Sequence, residues 1–369
     1  MENVKKLGFG AMRLPKLEDG SFNMPMIKDM VDLFLKRGFT YFDTAYVYDS
    51  GGSERALNEA LVSRYPRDSY TIATKLPSWH LKSLESRDEV FQESMDRLGV
   101  DYVDYYLLHN VNKETIGNFD KYDCWTWLEE QKANGKAKHV GFSFHDTADM
   151  LDEVLTKHPF VDFVQLQINY IDMDSPKVQS AKVLEVARSH GKPVVVMEPI
   201  KGGMLATPPQ DAIDAFAAVN PDASPASFAV RYVASQEGVF MVLSGMSSLE
   251  QMEDNSSFME NFHPLNEEEN AAVAKAVEAL NAVPTVPCTS CQYCMEGCPM
   301  SIPIPRYINL LNNIRRYGFT ANTPRSYNMS KDNGGDAWDC IGCGQCESVC
   351  PQHLEIPKYL EELSSHFKS

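Results

Sequence analysis

Apolar positions along this chain alternate between two periods. Short runs rich in Val, Ile, Tyr and Phe, bounded by turn residues, read as strands. Longer stretches with apolar residues at i, i+3, i+4 and i+7 read as helices. The first clear helix covers 25–36, where Ile27, Met30, Val31, Phe34 and Leu35 make one stripe that stops at Gly38. After a lead-in strand within 1–15, strands are expected at 40–42 (TYF), 70–75, a run ending at His109, 140–144 (VGFSF), 163–168 (FVQLQI), 193–198 (PVVVME) and 239–245 (VFMVLSG). Helices are expected between them at 53–65, from Ser86, and at 125–133, 148–157, 177–190 and 225–235. Ser53 reads as the N-cap of the second helix, and Ser86 with Glu89 has capping-box spacing at the start of the third.

About eight strand–helix units predict a TIM (β/α)8 barrel. A doubly wound sheet is the alternative that alternation alone leaves open, but no Rossmann glycine fingerprint follows any strand. The rhythm breaks at the stiff stretch AVPTVP, so a barrel over 1–283 and a small second domain over 284–369 are expected.

Charge and cysteine sharpen that division. The 369 residues carry 34 Lys and Arg against 51 Asp and Glu, a formal charge of −17, nearly all of it before Pro284. An acidic surface of this size argues against nucleic acid and anionic membranes as partners. No apolar run approaches the ~18 residues of a membrane span, and the first fifteen residues lack a signal-peptide core, so a cytoplasmic protein is expected. Of nine cysteines, only Cys124 precedes Cys288. Cys124 is expected to be a small buried hydrophobe. The other eight, in two tight runs, favour metal over disulfides.

Candidate chemistry sits at the strand ends. Asp43 closes the strand at 40–42, and Tyr48 follows in a loop ended by Gly51-Gly52. Lys75 and His109 close the next two strands. A phenol, ordinarily titrating near ~10, needs a cation beside it to exchange protons near neutrality. Lys75 can be that cation, with Asp43 holding it and His109 orienting a substrate oxygen. His145, just past the strand at 140–144, is a further candidate for lining the pocket.

DTAYVY followed by GGSE, the ATK strand end and YYLLH resemble the aldo-keto reductases, whose Asp, Tyr, Lys and His fall on Asp43, Tyr48, Lys75 and His109. The resemblance covers roughly the first three quarters of the chain. It implies a nicotinamide cofactor across the strand ends, with Ser143 and Gln165 on the carboxamide. It implies a pyrophosphate loop at 199–205, with Gly202, Gly203 and Leu205, and an adenosine-phosphate segment at 244–255, with Gly245, Ser247, Gln251 and Asn255. Four positions depart from the family. Phe144 replaces an Asn, Met197 stands where an aromatic ring stacks on nicotinamide, Gln251 replaces an Arg, and Gly245 stands where some members have Lys. Without that fork-shaped cation, NADH is predicted to serve at least as well as NADPH.

CTSCQYCMEGCP and CIGCGQCESVCP each spell C-x2-C-x2-C-x3-C-P, the bacterial ferredoxin run for [4Fe–4S] clusters. Zinc, the alternative, uses pairs of cysteines in structural sites. In two-cluster ferredoxins the fourth cysteine serves the other cluster. That rule predicts one set of Cys288, Cys291, Cys294 and Cys350, and a second of Cys340, Cys343, Cys346 and Cys298. With an apolar helix between the runs, the region resembles the helical dicluster ferredoxins. The whole therefore reads as an NAD(P)H-linked oxidoreductase acting on a small carbonyl or alcohol and carrying two clusters. The alternative is an electron-transfer or redox-sensing protein coupled to a ferredoxin or flavoprotein.

Overall fold

A computed structural model describes residues 4–367. Eight parallel strands close into a barrel in chain order. They are β1 (Leu7–Gly10), β2 (Tyr41–Asp43), β3 (Thr71–Pro77), β4 (Val103–Val111), β5 (Ala137–Phe144), β6 (Phe163–Gln167), β7 (Val194–Met197) and β8 (Val239–Ser244). β8 returns to pair with β1, so no sheet edge is left open. The TIM barrel read from the alternation is thus the fold, and the doubly wound sheet is excluded.

The period of two explains how the strands are filled. Tyr41, Ala73, Tyr105, Leu107, Phe163, Val195, Met241 and Leu243 point inward and form a core of their own. Tyr105 packs against Tyr41 at 4.9 Å and edge-on to Phe163 at 5.4 Å between ring centroids. Their neighbours Phe42, Ile72, Tyr106, Val164 and Val196 point outward into the larger core under the helices. Gly141 is obligatory in this packing, since a Cβ there would lie 2.3 Å from the Phe163 carbonyl oxygen. Two residues beyond this inner floor the inward positions become polar: Asp43, Lys75, His109, Ser143 and Gln165.

Two expected caps are built differently. The second helix begins at Gly52 after Gly51 in the left-handed region. Ser53 lies inside it, buried, donating to the Ala11 carbonyl at 2.8 Å and sharing a 2.7 Å hydrogen bond with Thr44. Ser53 therefore ties the turn to β1 and β2. Ser86 is the first residue of its helix, and its hydroxyl receives the amides of Lys82 and Ser83 and donates to the Ser83 carbonyl. It closes the preceding turn, with no capping box.

The chain divides into two compact units, one reaching Ile200 and resuming at Ala226–Glu267, the other formed by Lys201–Pro225 and the chain from Glu268. In the second unit the long helix Ile304–Tyr317 buries Tyr307, Ile308, Leu311 and Ile314. It packs with the helix Ile356–Ser365, and Arg315 grips Glu362 through two hydrogen bonds at 2.8 and 2.5 Å. The stretch before the first cysteine run is anchored by Asn312, which both donates to and accepts from the backbone of Val286.

This unit repeats itself at the cysteine spacing. Each run carries a short helix, Tyr293–Glu296 or Gln345–Ser348. Each has left-handed residues in matching places: Ser290 with Gly342, Gln292 with Gly344, and Ser301 with His353. Each then enters a helix through Ile-Pro, at Ile304-Pro305 and Ile356-Pro357.

Candidate active site and cysteine cavities

Asp43 and Lys75 reach the barrel mouth because β2 and β3 pair with Asp43 opposite Ala73, leaving Lys75 two residues further along. The Lys75 ammonium is fully buried and donates to Asp43 Oδ1 at 2.7 Å and to the Thr44 carbonyl at 2.6 Å. An ammonium has three donors, and these two bonds leave one on the side of Tyr48. Lys75 Nζ lies 5.0 Å from the centre of the Tyr48 ring, which meets His109 edge-on with centroids 5.8 Å apart. The structure therefore brings Asp43, Tyr48, Lys75 and His109 together.

The Tyr48 turn is held from below. Asp49, Ser50 and Gly51 all have positive φ, a sequence of conformations that costs energy at the two non-glycine positions. At Gly51 a side chain would be strained by the φ of 80°, and its Cβ would crowd the Arg97 guanidinium at 2.5 Å. Arg97 bonds the Tyr46 carbonyl at 3.0 Å and the buried Glu54 at 3.2 Å, and Thr74 of β3 donates to the other Glu54 oxygen at 2.7 Å. The GGSE segment thus builds a buried ionic support for the tyrosine loop.

Burial lowers the Lys75 amine, but Asp43 and Tyr48 more than offset it and the pKa ends raised. Burial likewise pushes the Asp43 carboxyl up while Lys75 pulls it down. At 2.7 Å the pair is an ion pair. Tyr48 departs from the expectation that Lys75 sets its proton affinity. Desolvation of the phenolate raises its pKa, and Lys75 lowers it without reversing the sign. His109 is driven well below its ordinary value by burial, then by the positive charge of Lys75 and by His145. Its imidazole is neutral, and Nδ1 is buried without a hydrogen-bond partner.

Trp79 escaped the sequence reading. It follows β3 in a single turn, lies 5.5 Å from His109 between ring centroids, and is 48% exposed. The only signal in the sequence is a Trp just after a catalytic-type strand. His145 sits in the loop past β5, where it lines a cavity with Phe144, Asp146, Gln167 and Lys177. Cys124 is wholly buried, which pushes its thiol up to about 12.

The eight late cysteines line two cavities. One is bounded by Cys288, Cys291, Cys294 and Cys350. The other is bounded by Cys298, Cys340, Cys343 and Cys346. Each takes three cysteines from one run and the fourth from the other. Among the described residues, no three His, Cys, Asp or Glu side chains stand close enough to hold a single metal ion. Ile304, between the two, lines both cavities. Burial and neighbouring thiols push Cys294 and Cys346 up to about 11, so their deprotonation requires a strong compensating positive charge.

Residues 6–278 match the model of the aldo/keto reductase family. The chain belongs to that family. An uncharacterized oxidoreductase of Schizosaccharomyces pombe is 30% identical over 265 residues, covering 68% of this chain and 80% of that protein. L-galactose dehydrogenase of Arabidopsis thaliana is 27% identical, covering 68% and 83%. Among solved structures, an aldo-keto reductase of Bacillus halodurans in its holo form superposes with a TM-score of 0.60 at 24% identity, over 75% of this chain and 93% of that one. One from Klebsiella pneumoniae in complex with NADPH gives 0.59 at 21%, over 74% and 90%. These likenesses show the fold. Residues 287–354 match a 4Fe-4S dicluster domain, so this aldo/keto reductase is an oxidoreductase of composite build. No helix among the described residues is long and apolar enough to cross a membrane.

On the expected cofactor side of the aldo/keto reductase barrel, Ser143 and Gln165 are opposite each other on β5 and β6. Ser143 Oγ accepts the Asn110 amide at 2.8 Å, which leaves its proton to donate. Gln165 donates to the Met197 sulfur at 3.4 Å, and its Oε1 is buried without a partner. An orphaned buried acceptor beside a free hydroxyl fits a carboxamide. In the 244–255 segment, Ser248 caps the helix Leu249–Glu260 by accepting the Gln251 amide, while the Gln251 side chain takes the Ser247 amide at 2.8 Å. Asn255 is buried and donates to Ser244 at the end of β8. In the second unit, Gly202 and Gly203 have positive φ within the Lys201–Ala206 turn, Leu205 is buried, and Asn322 donates to the Gly202 carbonyl.

Proposed function

We propose that the protein is an NAD(P)H-linked carbonyl reductase, working in reverse as an alcohol dehydrogenase, that carries two [4Fe–4S] clusters for electron transfer. The observation that carries this reading is the buried Lys75 ammonium, shared by Asp43 and Tyr48, beside a neutral His109 at the barrel mouth.

A bound nicotinamide supplies a hydride to the carbonyl carbon. The protein's own groups handle the oxygen. Neutral His109 donates a hydrogen bond that positions it. Tyr48, kept protonated by burial, gives its proton as negative charge develops on the oxygen. Lys75 stabilises the phenolate left behind, and Asp43 keeps the lysine in place. In the reverse direction Tyr48 must first lose its proton. Trp79 forms one wall for a small aldehyde, ketone or sugar-like substrate. Ser143 and Gln165 hold the carboxamide, Met197 lies against the ring, and Gly202, Gly203 and Leu205 of the 201–206 turn, with Gly245, Ser247, Gln251 and Asn255, serve the dinucleotide. The barrel function is assigned to 1–283 and the iron–sulfur function to 284–369.

The cysteine cavities fit two clusters, one on Cys288, Cys291, Cys294 and Cys350 and the other on Cys340, Cys343, Cys346 and Cys298. Such clusters exchange single electrons. Cys291 and Cys343 are exposed, which supports exchange with a ferredoxin or flavoprotein. Anaerobic protein mixed with NAD(P)H and candidate carbonyls tests both parts. Carbonyl-dependent nicotinamide oxidation is expected, together with bleaching of the cluster absorption and a reduced-cluster EPR signal. Absence of nicotinamide oxidation across aldehydes, ketones and sugars would count against the reductase. Clusters that stay oxidised with every nicotinamide and with reduced ferredoxin would count against electron transfer.

A further inference from the structure

The 244–255 segment lacks the cation its chemistry calls for. Gln251 is neutral and spends its side chain on the Ser247 amide. Gly245 has no side chain, and the Arg231 Nε is directed to the His263 carbonyl. A different residue stands there. A Cβ on Gly245, the residue after β8, would lie 3.7 Å from the Gly10 carbonyl oxygen and 3.8 Å from Arg13 Nη1, so the Arg13 guanidinium stands beside this position. Arg13 comes from the turn Ala11–Arg13 directly after β1, and Ser247 donates to its carbonyl at 2.8 Å. The cation on this side of the barrel thus comes from the end of β1, beside space that Gly245 leaves open.

The guanidinium is only loosely engaged. Nη2 stands 3.6 Å from Glu198 Oε1, at the long end for an ion pair, and Nε is buried with no hydrogen-bond partner. Glu198 is itself unusual. It follows β7 with φ of 58°, and Asn169 holds its carbonyl at 3.3 Å. A non-glycine residue in that conformation stores strain that the surroundings must offset.

We propose that Arg13 is the residue that grips the diphosphate of the nicotinamide dinucleotide, and that Glu198 holds it in reserve until the cofactor arrives. The inference rests on the proposed nicotinamide function. A fork of donors on a planar cation suits phosphate oxygens better than one carboxylate oxygen at 3.6 Å. The diphosphate is assigned over a 2′-phosphate because Arg13, in the turn directly after β1, reaches across the barrel mouth to Glu198, the residue directly after β7.

The test measures NADH and NADPH affinity of the cluster-loaded full chain by quenching of protein fluorescence. Arg13→Ala is expected to weaken both nucleotides alike, by roughly 10–100-fold, the worth of a charge-assisted hydrogen bond. Arg13→Lys should recover part of the loss, and Glu198→Gln, by removing the competitor, should tighten both about two- to tenfold. ADP-ribose, which keeps the diphosphate, should follow the same order, whereas AMP should be insensitive. Unchanged cluster absorption and far-UV dichroism establish that each variant is folded. Should Arg13→Ala bind both nucleotides like wild type, the assignment fails while the proposed function stands. Loss confined to NADPH would overturn the diphosphate assignment. A wild type that binds neither nucleotide overturns the proposed function, and this inference with it.

Discussion

The barrel mouth and the cysteine unit solve the same problem, holding several reactive groups in one place, by opposite means. At the mouth, Asp43, Tyr48, Lys75 and His109 come from three strands and a loop, and the polypeptide alone assembles them. Sheet register, a buried ion pair at 2.7 Å and the Arg97–Glu54 support leave little for a ligand to organise. In the cysteine unit the groups come in local runs, on helices of four residues joined by left-handed turns. Two of the thiols are exposed, and two buried ones are pushed up to about 11. In the proposed reading such groups would be kept together and deprotonated by the metal that binds them. Preorganisation belongs to the first region, and metal dependence is the proposal for the second.

Several experiments can break that contrast, beginning with the largest effect. Tyr48→Phe removes the proton donor without disturbing the Lys75–Asp43 pair. Carbonyl reduction should fall roughly 10²–10⁴-fold with cluster absorption unchanged; wild-type turnover in the variant would remove Tyr48 from the mechanism.

Next comes Asp43→Ala, which strands a buried ammonium. Breaking a buried pair this way costs about 3–5 kcal/mol. Denaturant unfolding followed by barrel tryptophan fluorescence should show it, and a loss below about 1 kcal/mol would mean that Lys75 is held by other groups.

Iron removal addresses the other region. Chelation should raise amide exchange across 288–356 while β1 to β8 keep their protection. Lys201–Pro225 should loosen with the cysteines, because it packs in their unit and Asn322 holds Gly202 there. Equal loosening of the barrel strands would erase the distinction. Cys346→Ala should leave about half of the iron and sulfide.

The smallest effect is one of pH. Tyr48 is raised above its ordinary ~10, so its proton is present throughout the neutral range and leaves only at higher pH. His109 is lowered, so it is already neutral at and above about pH 6.5. Reduction should therefore show a flat kcat/KM from about pH 6.5 to 10, whereas alcohol oxidation, which needs the phenolate, should climb with pH. A limb inside that window for reduction would show that another group titrates in the reaction.

Much of this was present in one dimension. Strand and helix periods are local properties, so the eight-unit rhythm survives in the order of residues; Asp43 does close its strand, whereas Lys75 and His109 lie two residues short of the ends of β3 and β4, which run on to Pro77 and Val111. Cysteine spacing is local too, and the crossed grouping seen in the two cavities is the one that the resemblance to two-cluster ferredoxins implies. Three-dimensional packing decided the rest. Ser53 has the spacing of a cap, but it bonds to Ala11 and Thr44, neighbours the sequence does not reveal. The sign of the Tyr48 shift depended on whether burial or Lys75 was stronger, a balance set by how much protein surrounds the phenol. Nothing in the order of residues places Trp79 on His109, Lys201–Pro225 with the cysteine unit, or Arg13 beside Gly245 and Glu198. A local pattern records what a residue does with its own turn of chain. These three pairings join segments far apart in the chain, and only the closed barrel and the packed helices bring them within reach.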